Sequence, residues 1–364
     1  MTTTFRRLRA ILALIDTSGL GMRRVARLVE YFGDLTDIPL DDHAKISEIT
    51  GLQLSSIPIP EDDRVSKMEK YLDDTKSRLI VRKSEEFPAG VFSIDTCPEY
   101  LFVRGEIIPA DSQALAVVGT RKPCEYGVQV TRRFSEGAVR AGMTIVSGLA
   151  NGVDTQAHKA ALRSGGRTIA VLGCGLDVVY PPDNRKLYTE IPAHGAIITE
   201  HPPGTRPEKH NFPARNRLIS GLSLGVLVAA APPKSGSLIT ADYALEQGKP
   251  VFTVPGSIFD KNLAGNNNLL KKGAIPVTDP DDILQEFGME KVQLKSDAEM
   301  TTVIKGLTQP QQDIFKILSA KPMHIDVITK RTGIRTSDVL AELTNLLIQG
   351  FIEQRPGGNY VRIM

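Results

Sequence analysis

The sequence predicts an α/β protein in three parts: a doubly wound, mostly parallel sheet, preceded by a small helical domain and followed by three helices and a hairpin. Three observations carry this prediction. From 111 to 288, near-continuous apolar runs alternate with helical patterns. Before that stretch, apolar residues recur mainly at helical spacing. After a polar, aperiodic stretch from about Met289 to Lys305, a new pattern of three helices and a hairpin starts.

The helical part spans 1–77. Leu8, Ile11, Leu12 and Ile15 share one helical face. GLGMRRVARLVEYFG (19–33) is a glycine-bounded turn and a helix with Val25, Leu28 and Val29 inward. The turn resembles that of a helix-hairpin or sterile-alpha-motif-like unit. Amides near Gly19 and Gly21, with Arg23 and Arg24, suit a phosphate, but an ordinary turn with a solvated basic face is the preferred reading. Leu40 to Asp63, with Pro58 and Pro60, is expected to be a loop-rich connection.

The α/β part spans 78–288, with 79–108 as an extended lead-in. Its strands are expected at 114–119, 143–148, 167–173, 196–200, 224–230, 250–256 and 274–279. Apolar strands separated by helices indicate a parallel sheet covered on both faces, hence a Rossmann-like doubly wound domain. The linker is placed at 289–305 and the last domain at 306–364. There, helices at 310–320, 324–332 and 336–349 and a hairpin at 351–363 give a winged helix. Its third helix presents Ser337, Asp338, Glu342, Asn345 and Gln349 outward, with Leu340, Leu343, Leu346, Leu347 and Phe351 in the core. Two carboxylates and no cation argue against base readout by this helix, although Lys330, Arg331, Arg335, Arg355 and Arg362 lie around it.

Composition narrows the function. Among 364 residues, Lys+Arg 44 against Asp+Glu 42 leave a net charge of +2, so any nucleic-acid contact must be locally basic. Trp is absent and aromatics are 5%, so no broad stacking platform is expected. Cys97, Cys124 and Cys174 are far apart, and the six histidines do not cluster, so no metal site, disulfide framework or cofactor is expected. Arg6, Arg7 and Arg9 precede a short apolar run, but Asp16 interrupts it and no small-residue cleavage site follows. No apolar run reaches the length of a membrane span. A cytoplasmic protein without membrane contact is the expectation.

The distinctive motifs all follow strands, where ligands bind in open α/β sheets. VVGTRKPCEYG brings Gly119, Thr120 and Arg121 ahead of a helix near Glu125. VSGLANGVDTQAH offers Ser147, Gly148 and Gly152; its Asp154 and His158 read as a structural pair. LGCGLDVVYPPDN holds Cys174, read as a small packed residue. FPARNRLIS carries Arg215, Asn216 and Arg217 after Arg206, Lys209 and His210; one of the two arginines can instead serve an internal carboxylate. PPKSGSLITA supplies Lys234, Ser235, Gly236 and Ser237, and GNNNLLKKGA places Lys271 and Lys272 near the same edge. Glycine, hydroxyl and arginine groups at helix starts suit phosphate. Several such loops along one edge make a groove rather than a single pocket.

Taken in order, VVGTR, SGLANGVDTQAH, YPPDN, FPARNRLIS, KSGSLITA and VPG resemble the DNA-processing protein A (DprA, Smf) family. The resemblance covers about half the chain by motif and nearly all of it by architecture. It implies a protein that binds and protects single-stranded DNA and helps load the RecA recombinase in natural transformation. It also implies a homodimer formed through the Rossmann-like domain, and no enzymatic activity. The family often has basic residues where this chain has Asn151 and, sometimes, Pro182, and a Glu near Ala230. The alternative is a nucleotide hydrolase of the lysine-decarboxylase-like group. Its PGG-x-GT loop is followed by a Glu, which PPKSGSLITA lacks.

Overall fold

In the computed structural model, which describes residues 1–289, 307–319 and 322–362, the chain opens on a capped helix. The Thr2 hydroxyl accepts from the Phe5 amide and starts α1 (Thr3–Asp16). Leu8, Ile11, Leu12 and Leu14 are buried, whereas Ile15 in the last turn is 44% exposed. Helix α2 (Met22–Phe32) buries Val25, Leu28 and Val29 as expected. The presumed connection from Leu40 contains a further helix, α3 (His43–Thr50), whose Asp42 cap accepts from the Lys45 amide at 2.9 Å. It is two turns long with one inward aliphatic residue, Ile46, too little to show a period in the sequence. Helix α4 (Asp62–Asp74) completes this group.

The lead-in belongs to the sheet. Strands β1 (Ser77–Val81) and β2 (Tyr100–Gly105), with a one-turn helix α5 (Ala89–Phe92) between them, pair antiparallel from Ser77↔Arg104 to Val81↔Tyr100. The alternating units follow: β3 (Ala114–Gly119), α6 (Glu125–Arg140), β4 (Thr144–Ser147), α7 (Val153–Arg163), β5 (Thr168–Val171), α8 (Arg185–Glu190), β6 (Gly195–Thr199), α9 (Asn211–Gly221), β7 (Gly225–Ala230), α10 (Ser237–Glu246), β8 (Val251–Thr253), α11 (Ala264–Lys271), β9 (Ile275–Pro276) and α12 (Pro280–Glu286). The strand order is β1-β2-β6-β5-β4-β3-β7-β8-β9, and every pair from β6 to β9 is parallel. The order reverses between β3 and β7, which defines the switch point of a doubly wound sheet.

Burial follows from this layering. Most residues of β3 to β8 are buried, as strands covered on both faces must be. One core lies between the sheet and Leu218, Ile219 and Ala241 of α9 and α10. Another holds Phe134, Ala157 and Ile283 of α6, α7 and α12. A third runs from Leu8, Leu28 and Ile46 into Tyr100, Phe102 and Ile197, so the helical domain is docked on the antiparallel end of the sheet.

Contacts divide the chain into Met1–Val292 and Gln293–Met364. The expected linker at 289–305 lies, apart from Met289, outside the described residues. In the second unit, α13 (Gln309–Ile317), β10 (Met323–His324), α14 (Ile325–Thr332), α15 (Thr336–Ile348), β11 (Ile352–Arg355) and β12 (Asn359–Arg362) form a winged helix with sheet order β10-β12-β11. Its core uses Val339, Leu343 and Leu346; Leu340, expected inside, is 46% exposed because the buried arc of α15 starts one residue earlier. Among the described residues no helix is long and apolar enough to cross a membrane.

Candidate nucleic-acid interface

Parallel strands deliver their following loops to one edge, and the switch point brings the loop after β3 beside the loop after β7. The Thr120 amide donates to Ala230 O at 2.7 Å, and the Val153 amide donates to Thr120 O at 3.1 Å. These bonds pin the turn after Gly119, from which Arg121 and Lys122 project into solvent. The Arg121 guanidinium stands 5.9 Å from the centre of the Phe212 ring. Phe212 in turn meets Tyr180, with ring centres 5.4 Å apart and planes tilted by 34°. Tyr180 is 37% exposed. Arg121, Asn151, Tyr180, Phe212 and Arg215 line a shallow cleft of about 40 Å³.

Arg215 forms the base of this cleft and is buried. Its Nη1 donates to Gly148 O at 2.9 Å and also to Val171 O, and its Nε donates to Asn216 Oδ1 at 3.2 Å. Burial pulls its pKa down to about 10, so it stays charged at neutral pH. Gly148 leaves no room for a side chain unless its neighbours shift: a Cβ would lie 2.5 Å from Arg215 Nη2 and 2.8 Å from Asp154 Oδ2. Its amide donates to Asp154 Oδ2 at 3.1 Å, and the Ala150 amide donates to the same oxygen at 3.3 Å. Burial pushes the Asp154 carboxyl up to about 6. His158, bonded through Nδ1 to the Thr168 hydroxyl at 2.7 Å, is held down to about 3 by burial and is neutral. Both are structural, as their sequence positions suggest. Buried Cys174 is also a packed residue, and burial raises its thiol to about 11.

Other expected phosphate groups are placed differently. Ser147 is buried and donates to Val117 O at 2.7 Å, so its hydroxyl faces the sheet. Arg217 is a correction. It grips Glu200 in a two-pronged pair at 2.7 and 2.6 Å and donates from Nε to the Thr96 hydroxyl at 2.8 Å. A guanidinium closed on an internal carboxylate braces α9 against the end of β6 and is not presented to a phosphate. Lys272 is also a correction. It caps the end of α11, immediately before β9, and a parallel crossover returns the chain to the opposite edge of the sheet. Lys271 goes with it.

The loop after β7 does reach the site edge. Lys234 and Gly236 are exposed, the Ser235 and Ser237 hydroxyls are 2.8 Å apart, and Asn216 Nδ2 donates to Gly236 O at 3.3 Å. Asn216 thus ties this loop to α9. Residues read too narrowly in the sequence are Phe212 and Tyr180, which sit inside the quoted motifs FPARN and YPPDN. Among the described residues no His, Cys, Asp and Glu group is arranged to hold a metal ion.

Comparison with known proteins places the chain in a family. The model of DNA recombination-mediator protein A matches residues 78–288, and that of the DprA winged helix domain matches 298–358. Protein Smf of Synechocystis is 36% identical over 389 aligned positions, covering 96% of this chain and 98% of its own. The X-ray structure of DNA processing protein A from Streptococcus pneumoniae superposes with a TM-score of 0.66 at 34% identity, over 80% of this chain and 99% of that one. A structure of the Helicobacter pylori protein, described for its single-stranded DNA binding mode, gives 0.53 at 32% identity, over 58% of this chain and 95% of that one. The chain belongs to the DNA recombination-mediator protein A (DprA, Smf) family.

Proposed function

We propose that this protein binds single-stranded DNA along the carboxyl edge of its parallel sheet, protects it, and presents it to the RecA recombinase in natural transformation and recombination in the cytoplasm. The observation that carries this reading is the cleft formed by Arg121, Tyr180 and Phe212 above Arg215. A cation beside a ring pair whose Tyr180 is open to solvent suits a phosphate followed by an unpaired base, which duplex DNA does not offer. The Helicobacter pylori relative supports the same ligand. Gly119, Thr120, Gly148, Asn216, Lys234, Ser235, Gly236 and Ser237 shape or border the strand's path, and Arg121 is its main cationic contact.

The same cleft makes nucleotide hydrolysis the poorer reading. At about 40 Å³ it is far smaller than the roughly 300–1,000 Å³ of pockets that enclose a small ligand. Asp154 is turned to backbone amides, and the buried Ala230 and Thr240 beside the loop after β7 carry no carboxylate. We further propose a homodimer through the Rossmann-like domain. Ile258 and Phe259, 83% and 90% exposed on the loop after β8, are large apolar groups that a second copy would cover.

The test is Arg121→Ala in a fluorescence titration with labelled oligothymidylate. A loss of roughly 1–3 kcal/mol is expected, as for a charge-assisted hydrogen bond, with partial rescue by Arg121→Lys, which lacks the planar fork. Unchanged affinity in a folded variant contradicts the proposal.

A further inference from the structure

A second, larger and more open depression lies away from the Arg121 cleft. It lies between the helical domain and the α/β domain, has a volume of about 480 Å³, and is walled by the start of α2 on one side and by Ala214, Arg217 and Tyr243 on the other. That volume falls within the range of small-ligand sites.

Its charge is uneven. Glu200 neutralises Arg217 at the base. Among the described residues the α2 wall has no such ion pair. Arg24 donates to Thr50 O at 3.1 Å and to Gly19 O at 2.9 Å, so it braces the glycine turn while keeping its charge. Arg23 is exposed, and among the described residues it makes no ion pair. The opposite wall supplies the half-buried ring of Tyr243. Arginine facing an aromatic ring across a cavity of this size fits one nucleotide unit, phosphate on one wall and base on the other.

The position of the cavity links it to the first cleft. Phe212 and Arg215 of α9 line the Arg121 cleft, and Ala214 and Arg217 of the same two turns line the cavity. The centres of this stretch, 212 to 217, are separated by only about 7–8 Å along the helix axis. The two sites open on different faces of α9, so a strand that reaches both has to bend around the start of this helix.

From this arrangement we infer that the cavity between the start of α2 and α9–α10 is a second nucleotide subsite for the same single strand, with Arg23 contacting phosphate and Tyr243 stacking on a base. This rests on the proposed single-strand function and extends it to the helical domain.

The experiment uses the full chain with two labelled oligothymidylates, a short one of about 5 nucleotides, near the low end of usual site sizes, and a long one of about 20, beyond their upper end. Arg23→Glu is compared with Arg27→Glu, an exposed α2 residue outside the cavity wall that makes the same charge change. The expected result is a loss of about tenfold or more for the long oligomer with Arg23→Glu, as for a lost charged hydrogen bond. The short oligomer is unaffected, and Arg27→Glu costs less than about a third of that factor. Unchanged long-oligomer binding in Arg23→Glu overturns the inference, and so do equal losses from both variants. Arg121→Ala, measured alongside, reports separately on the first cleft: its failure to weaken binding counts against the proposed function, whereas an Arg23 failure alone removes only the second subsite.

Discussion

The Arg215 guanidinium donates to the Gly148 carbonyl at 2.9 Å, so the helix after β6 fastens the loop after β4. Asp154 holds the same glycine by its amide. The wall of the cleft is therefore pinned from both sides before any ligand arrives, and a pinned wall loses little entropy on binding.

Arg215→Ala should act on stability first. It leaves the Gly148 and Val171 carbonyls and the Asp154 carboxylate without their cation, a loss of roughly 2–4 kcal/mol. Chemical denaturation measures it. A variant as stable as the parent that has lost DNA binding would make Arg215 a direct phosphate ligand instead.

Gly148→Ala should force Arg215 or Asp154 to move, since the new Cβ would meet both below 3 Å. Overpacking of this kind costs about 1–3 kcal/mol. Single-strand affinity should fall with it, because Arg215 forms the base of the cleft. A Tm and affinity equal to the parent's would show that the loop is slack.

Arg217→Ala should cost about 3–5 kcal/mol, because it strands a buried Glu200. The double variant Arg217→Met with Glu200→Leu removes both charges and should recover most of that loss. Recovered stability with unchanged DNA affinity assigns Arg217 to the fold. Recovered stability with DNA affinity lost would return it to the binding site.

Stability against pH tests the buried pair Asp154 and His158. His158 has its pKa lowered from 6.5 to about 3, so its neutral form supports the fold and stability falls as pH drops below about 6.5. Asp154 has its pKa raised from 3.8 to about 6; the folded state binds its proton more tightly, and stability from this group rises as pH drops from about 6 to about 4. The two oppose each other in that window. Asp154→Asn should therefore lose stability more steeply than the parent between pH 6 and 4. Parallel profiles would mean that the Asp154 carboxyl is not shifted.

Much of this was legible in the sequence because buried parallel strands are nearly all apolar. ALAVVG and GVLVAA leave little else to be, and their edge follows from the parallel topology. Helix α3 was hidden by its length, and β1 and β2 by irregular stretches around short apolar runs. At the site, the motifs located the loops but not the direction of each side chain. Arg215 and Arg217 look equivalent in FPARNRLIS, yet they point to different faces of α9, and the fate of Arg217 depends on Glu200, 17 residues away. Lys272 was misplaced because its position depends on the α11 crossover, not on the local pattern. Phe212 stacks with Tyr180 across 32 residues of chain, a pairing that no spacing reveals.

The most direct test of the central claim compares a single strand with its duplex of equal length across a salt series. Preferential single-strand binding is expected, weakening with salt at a slope of roughly −0.7 per phosphate neutralised. Arg121→Ala should make that slope shallower by about one phosphate's worth. Equal affinity for the two forms, or a slope unaltered by Arg121→Ala, would contradict a single-strand groove at the carboxyl edge of the sheet.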